Sequence, residues 1–337
     1  MNCRLARLAA IVLSCCFCLV GSPARAWNAS GHITVALVAY GQLDDATKAQ
    51  AVELLKAHPR FREHFGFALE REVGRGTAAE QDEWLFAYAS TWSDIVRDAK
   101  EGVTRVDVQQ YSRPWWHFIN EPIFLNDTEG RRLALGLKEN LRRDVPADHD
   151  DPNMNIIQAV KNSSRIVADT KAVAELRSVH LCWLLHLVGD AHQPLHSSCL
   201  FTASRFPEGD HGGNYLNIEH DYKLHGFWDD QVSTEQPYDT VRSLATAVAR
   251  NMELAAAGKQ AAAALDPGTW IDEGHELANR HVYTPEVLRK IAAREGHSHL
   301  GALHLPESYY ADAEAVSERQ AVVAGHRLAA LLQKLLK

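Results

Sequence analysis

The run His186-Leu-Val-Gly-Asp190-Ala-His-Gln-Pro-Leu-His196 places three metal-capable side chains within eleven residues. On a helix, positions 186 and 190 lie one turn apart on the same face. Pro194 predicts the end of that helix, with His196 on the turn that leaves it. Imidazoles plus a carboxylate form the ligand set of hydrolytic zinc, whereas all-cysteine sets read as structural. Taken alone, the segment reads equally well as a helical His–Asp pair beside an unrelated loop histidine.

Three further clusters add weight. His225 and Asp229, in Leu224-His-Gly-Phe-Trp-Asp229, repeat the four-residue spacing. With His196 they would make a three-ligand site with positions open to water or substrate. Trp92-Ser-Asp94 and Pro114-Trp-Trp-His117-Phe-Ile-Asn120 supply Asp94 and His117, which with His186 and Asp190 would complete a second site. Packing explains each of these separately: helical His–Asp pairs are common, and His117 among Trp115, Trp116 and Phe118 also reads as a neutral core histidine. The fourth cluster is Trp27-Asn-Ala-Ser-Gly-His32. If Trp27 is the first residue of the mature chain, its α-amine (pKa about 7.7–8.0) and its carbonyl oxygen can chelate a metal, with His32 near enough to add a third ligand.

The first 26 residues have the pattern of a secretory signal: Arg4 and Arg7, an apolar run from Leu8 to Val20, then Ala24-Arg25-Ala26. Cleavage between Ala26 and Trp27 is expected, giving a secreted or periplasmic product. A lipoprotein signal built on Cys15, Cys16 or Cys18 is the weaker alternative. Removing the three arginines leaves 32 basic against 43 acidic residues, a net charge of −11 with histidines neutral. Such a chain does not draw in phosphate polyanions through its overall field, so chemistry on them needs a local cation. Of six cysteines only Cys182 and Cys199 follow the signal segment. They bracket the histidine-rich run, and in an oxidising compartment a disulfide between them would stabilise by about 3 kcal/mol. The alternative is one core thiol and one unrelated thiol.

Apolar residues at three- and four-residue spacing predict helices over Ile33–Tyr40, Asp45–Ala57, Ala78–Asp98, Arg131–Arg143, Asn155–Asp169 and Ala172–Asp190. The same spacing covers Thr240–Ala257, Pro267–Asn279, Pro285–Ala293 and Tyr309–Leu336. Strand patterns are scarce, and no linker, repeat or low-complexity stretch divides the chain. The expectation is one all-α (mostly helical) domain over 27–337, irregular near 100–130 and 197–235. The polar loop Ser197–Asp221 is a candidate binding surface. No later run is long enough and apolar enough for a membrane anchor.

Together the N-terminal Trp27, Gly31-His32, W-x-D, W-H-F-I, H-x-x-x-D-x-x-Q-P-L-H, G-G-N and the His225 spacing resemble a known family. These are the zinc-dependent single-strand nucleases and 3′-nucleotidases of the mung-bean-nuclease type. Their superfamily is shared with zinc-dependent phospholipase C. The resemblance covers essentially all of 27–337 and implies an all-α fold with three zinc ions at the bottom of a cleft. It assigns Asp94, His117, His186 and Asp190 to the first ion, and His196, His225 and Asp229 to the second. Trp27, His32 and a bridging Asp190 fall to the third. It implies attack by activated water on phosphorus in line with the 3′-oxygen, leaving 5′-phosphate ends. The substrates would be single-stranded DNA, RNA and 3′-mononucleotides. Arg97 would clamp the phosphate, Phe118 would stack on a base, and Gly213 and Asn214 would contact the nucleotide. A monomer is expected.

One position departs from the pattern. Asn120 stands where fungal members carry Asp after His-Phe-Ile, and Asn can donate as well as accept but cannot act as a base. Base preference or rate therefore differ if that residue takes part. Two other functions stay open: a phospholipase C on the same scaffold, which usually has Glu at the position of Asp229, and a non-catalytic periplasmic zinc-binding protein.

Overall fold

The computed structural model describes residues 27–219, 222–235, 237–297 and 301–337. The expected signal segment and its cysteines lie outside them. Among these residues fifteen α-helices follow in order: α1 Ala29–Gln42, α2 Asp45–Lys56, α3 Phe67–Val73, α4 Ala78–Ala89 and α5 Trp92–Ile95. Then come α6 Arg105–Tyr111, α7 Asp127–Leu133, α8 Ile156–Ala168, α9 Ala174–Asp190 and α10 Leu224–Asp229. The last are α11 Tyr238–Arg250, α12 Met252–Ala261, α13 Pro267–Leu277, α14 Pro285–Ala292 and α15 Glu307–Leu335. The helical expectation holds, and no helix among the described residues is long and apolar enough to cross a membrane.

Helix α9 is the axis of the molecule. It is apolar on every side, so it must be covered on every side. It packs on α8, α2, α15, α1 and α5, and every residue from His180 to Asp190 is buried. Each large apolar side chain it buries, such as Leu184 or Leu187, contributes about 1.5–3 kcal/mol. Among the described residues two large apolar clusters result, beside a small one of Val38, Val248 and Val322. The larger surrounds α9 and includes Trp84, Trp92, Trp116, Trp183 and Trp270. The second gathers Leu195, Leu200, Phe206, Leu224, Trp228 and Tyr283. Val188 and Ala191 belong to the first and Leu195 to the second, so the histidine-rich run crosses from one to the other.

Several expectations change, each for a side-chain reason. The helix expected over Ala78–Asp98 breaks after α4, because the hydroxyls of Ser90 and Thr91 donate to the carbonyls of Ala87 (2.6 Å) and Tyr88 (2.8 Å). The expected Arg131–Arg143 helix stops with α7 and a turn at Ala134–Gly136. The run beyond is not helical because the Asn155 amide binds the carbonyls of Asn140 (2.7 Å) and Arg142 (2.8 Å). Asn251 divides the expected Thr240–Ala257 helix by capping α12 through Glu253 and Leu254.

Two short strands were not expected. β1 (Glu121–Phe124) and β2 (Ser198–Phe201) pair in parallel, with Glu121 opposite Ser198 and Phe124 opposite Phe201. The expected disulfide is absent. Cys182 and Cys199 are both free and buried. Cys182 is committed to the α9 core, whereas the Cys199 thiol on β2 donates to Asp210 at 3.4 Å.

Candidate metal centre and substrate cleft

His186 and Asp190 close the last turn of α9, and Pro194 opens the short turn that ends at His196. His117 ends a turn at Pro114–His117, Asp94 sits in α5, His32 in α1, and His225 and Asp229 in α10. Segments distant in sequence thus deliver their side chains to one buried region.

Four ligand-capable atoms gather first. Asp190 Oδ2 lies 2.9 Å from His117 Nδ1 and 3.1 Å from His186 Nε2. His186 Nε2 lies 3.0 Å from His117 Nδ1 and 4.0 Å from Asp94 Oδ1. The other Asp190 oxygen faces His32 Nε2 at 3.3 Å, and the His32 ring stacks on His186 at 3.9 Å. His196, His225 and Asp229 form a separate group, with the two rings 5.0 Å apart and His225 Nε2 3.4 Å from Asp229 Oδ2. Within each of His32/His186/Asp190, Asp94/His117/His186 and His196/His225/Asp229, the ligand-capable atoms lie within 4.8 Å of one another.

The surroundings orient these groups. A backbone carbonyl can only accept, so the bonds of His186 Nδ1 to Ser90 (2.8 Å), His196 Nδ1 to His117 (2.7 Å) and His225 Nδ1 to Gly212 (2.7 Å) fix those protons on Nδ1. Each Nε2 is thereby aimed at its cluster, the orientation metal-ligating histidines need. The break after α4 is what leaves the Ser90 carbonyl available. Gln193 donates from Nε2 to Asp229 Oδ1 at 2.7 Å and fixes that carboxylate.

The electrostatics ask for cations. Burial pushes the Asp229 carboxyl well up, and the negative charges of Asp190 and Asp94 add to this against the Gln193 bond. Burial also works against Asp190, but His186, His196 and His117 outweigh it and hold that carboxyl well below the usual range. Burial lowers His117 to about 3 and lowers His32 too, so both rings are neutral donors. Asp190 Oδ1 and both His32 ring nitrogens are buried without a hydrogen-bond partner among the described residues, and Asp94 Oδ1 is ion-paired with Arg97. A single buried group of this kind costs about 1–3 kcal/mol, and here they converge. Neutral imidazoles and carboxylates with unmet acceptor capacity fit divalent zinc.

Trp27 is fully buried, and the amide of Asn28 donates to the Asp229 carbonyl at 3.3 Å. The Asn28 side chain caps α1 through Gly31 and also donates to Asp230 at 2.6 Å. The first described residues are thereby tied to α10.

A cleft of about 860 Å³ opens over this region; Arg97, Phe118, Asn120, Asn214 and His225 line it. Arg97 Nη1 lies 3.0 Å from Asp94 Oδ1, and its side chain is almost wholly buried. Phe118 and Asn120 are half-exposed, and Asn214 donates from its side chain to the His211 carbonyl at 2.9 Å. Gly213 is buried against Leu195, Leu224 and His225, and of the Gly212-Gly213 pair it is Gly212 that lines the cleft. Gly212 has φ +58°, and a Cβ there would meet the Leu195 carbonyl at 2.6 Å. Sequence reasoning missed Trp115, His211 and Tyr215, three exposed side chains that line the same cleft, and the neighbouring Glu139. The Trp115-Trp116 pair was a usable sign, since two adjacent residues of an extended or turning segment rarely both face a core. Glu139 carried none.

A profile of the S1/P1 Nuclease family matches residues 27–337. Nuclease S1 of Aspergillus oryzae is 21% identical over 320 residues, spanning 91% of this chain and 90% of its own. Endonuclease 4 of Arabidopsis thaliana is 24% identical over 212 residues, 62% of this chain and 56% of its own.

Proposed function

Because the chain belongs to the S1/P1 nuclease family and is thereby a nuclease, we propose that it is an exported, zinc-dependent one. Its reaction would be hydrolysis of the P–O3′ bond in single-stranded DNA and RNA and removal of the phosphate of 3′-mononucleotides. Asp94, His117, His186 and Asp190 would hold one zinc; His196, His225 and Asp229 a second. His32, Asp190 and the Trp27 amine and carbonyl would hold a third, which requires cleavage after Ala26. Bound zinc supplies an acidified water and neutralises charge developing on phosphoryl and leaving oxygens.

The protein's own groups do the rest. The Nδ1 bonds to Ser90, His117 and Gly212 keep three imidazoles aimed at their clusters. Arg97, in the cleft wall beside Asp94, is placed to hold a phosphate oxygen once a cation takes over that carboxylate. The Phe118 ring follows His117 directly and offers a stacking face to a base. Asn120 and Asn214 supply hydrogen bonds to the nucleotide. A base must leave its duplex stack to enter such a cleft, which favours single strands.

The observation that carries the reading is the convergence of eight buried or half-buried His and Asp side chains in three groups with ligand spacing, one of them, His225, also lining the cleft. The test is hydrolysis of single-stranded DNA, RNA and 3′-AMP by purified protein, with metal analysis before and after chelation. Activity lost to chelator and restored by zinc supports the reading. Hydrolysis of phosphatidylcholine without nuclease activity would replace it with a lipase, and bound zinc without any hydrolysis with a zinc-binding protein.

A further inference from the structure

Phe118 has an extended backbone, φ −152° and ψ 170°. Alternation along such a segment sends Phe118 and Asn120 to one side and Ile119 to the other. Ile119 is accordingly 1% exposed, while both neighbours line the cleft. A base stacked on Phe118 would therefore have Asn120 on the same side of the segment.

Asn120 does not act alone. Its Nδ2 donates to Glu139 Oε2 at 2.8 Å, across nineteen positions of sequence. Glu139 arrives from the non-helical run after the Ala134–Gly136 turn and also lines the cleft. An ionised carboxylate only accepts, so this bond fixes the amide with its oxygen directed elsewhere. Among the described residues, neither Asn120 Oδ1 nor Glu139 Oε1 takes a further hydrogen bond from a side chain, and Glu139 has no Lys or Arg ion-pair partner. An uncompensated carboxylate repels phosphate. It suits this cleft only where something other than phosphate lands.

We propose that Glu139, with Asn120, is a base-reading pair that selects guanine; the proposal rests on the nuclease reading above. The pair presents two acceptors, Asn120 Oδ1 and Glu139 Oε1, beside the second N–H of the Asn120 amide. Neutral guanine carries two adjacent donors on its Watson–Crick edge, N1–H and N2–H₂. Adenine and cytosine each set one donor beside an acceptor, and uracil or thymine sets one donor between two acceptors. Guanine alone meets both oxygens with adjacent donors, N1–H and N2–H₂, while its O6 can take the remaining amide N–H.

The test is kcat/KM on the 3′-mononucleotides and on GpA, ApA and CpA. In parallel, calorimetric titration measures guanosine and cytidine 5′-monophosphate. The wild type is expected to favour guanine over cytosine about ten-fold. In Glu139→Gln that ratio is expected to collapse toward one, while Glu139→Asp retains part of it. A residue that merely tethers the 137–143 run would scale every base equally, and that result overturns the proposal, as does a wild-type ratio at or below one. Calorimetry decides the matter for a variant that has lost turnover. Guanine-selective binding that depends on Glu139, without hydrolysis of any nucleotide, rejects the nuclease reading and keeps the base-reading pair. Hydrolysis without guanine selectivity does the reverse.

Discussion

Gly189 sits on α9 between the candidate ligands His186 and Asp190, and its missing side chain makes room for a third, His32. A Cβ built there would lie 2.8 Å from His32 Nδ1 and 3.1 Å from its Cε1. Ordinary contact begins near about 3.5 Å, so Gly189→Ala must move the ring by about 0.7 Å. His32 has little freedom to absorb this, being fully buried and stacked on His186 at 3.9 Å. Metal sites tolerate about 0.2 Å in ligand distance, and a misplacement near 1 Å costs on the order of 100-fold in rate. The substitution should therefore remove one zinc per chain and lower kcat/KM on a single-stranded oligonucleotide about 100-fold. The fold should survive. Alanine favours the helix by about 1 kcal/mol, against an overpacking cost of about 1–3 kcal/mol. Metal content, oligonucleotide cleavage and melting temperature in chelator separate these effects. Full zinc content with activity within about two-fold of wild type would refute the argument, because it would mean that His32 holds no metal.

Further outcomes follow from the same geometry. One extra residue ahead of Trp27 should cost one zinc per chain by metal analysis, since the amine becomes an amide; unchanged stoichiometry removes Trp27 from the ligand set. Gln193→Ala should weaken zinc at the His196 cluster about 10–100-fold by leaving Asp229 unoriented, read from competition with a chelator. Chain cleaved after Ala26, denatured without reductant, should titrate two thiols, and reductant should leave its melting temperature unchanged; no titratable thiol would restore the disulfide. Burial lowers His58 to about 3 and His180 to about 4. Below the ordinary value of 6.5 the unfolded chain binds these protons and the folded one does not. Stability of the metal-free protein should thus fall as pH drops from 6.5 toward 4, by about 1.4 kcal/mol per pH unit for each histidine. His58→Gln should flatten that slope in denaturant titrations, and an unaltered slope would show that His58 titrates normally.

What could be read from the sequence is what is decided within one or two helical turns. The four-residue spacings of His186/Asp190 and His225/Asp229 survive into the structure because an α-helix fixes their relative direction. Pro194 ends the helix ahead of His196 for an equally local reason. The all-α class follows from the same periodicity repeated along the chain. The helix break at Ser90 lay beyond this reasoning, because apolar spacing continues through it while the hydroxyls settle the backbone. The run after α7 was misread for a similar reason: its apolar periodicity lost to the Asn155 amide, held fifteen residues away.

The sequence by itself determined the ligand types, their spacing and the helices that carry them. Only the tertiary structure decided which ligands meet, that Cys182 and Cys199 stay apart, that β1 and β2 pair, and that Glu139 reaches Asn120. The physical reason is range. Helical direction is set by backbone geometry over a few residues, whereas these pairings join segments 19 to more than 150 positions apart. They form only when the apolar faces around α9 and around Trp228 pack and bring distant backbone into register.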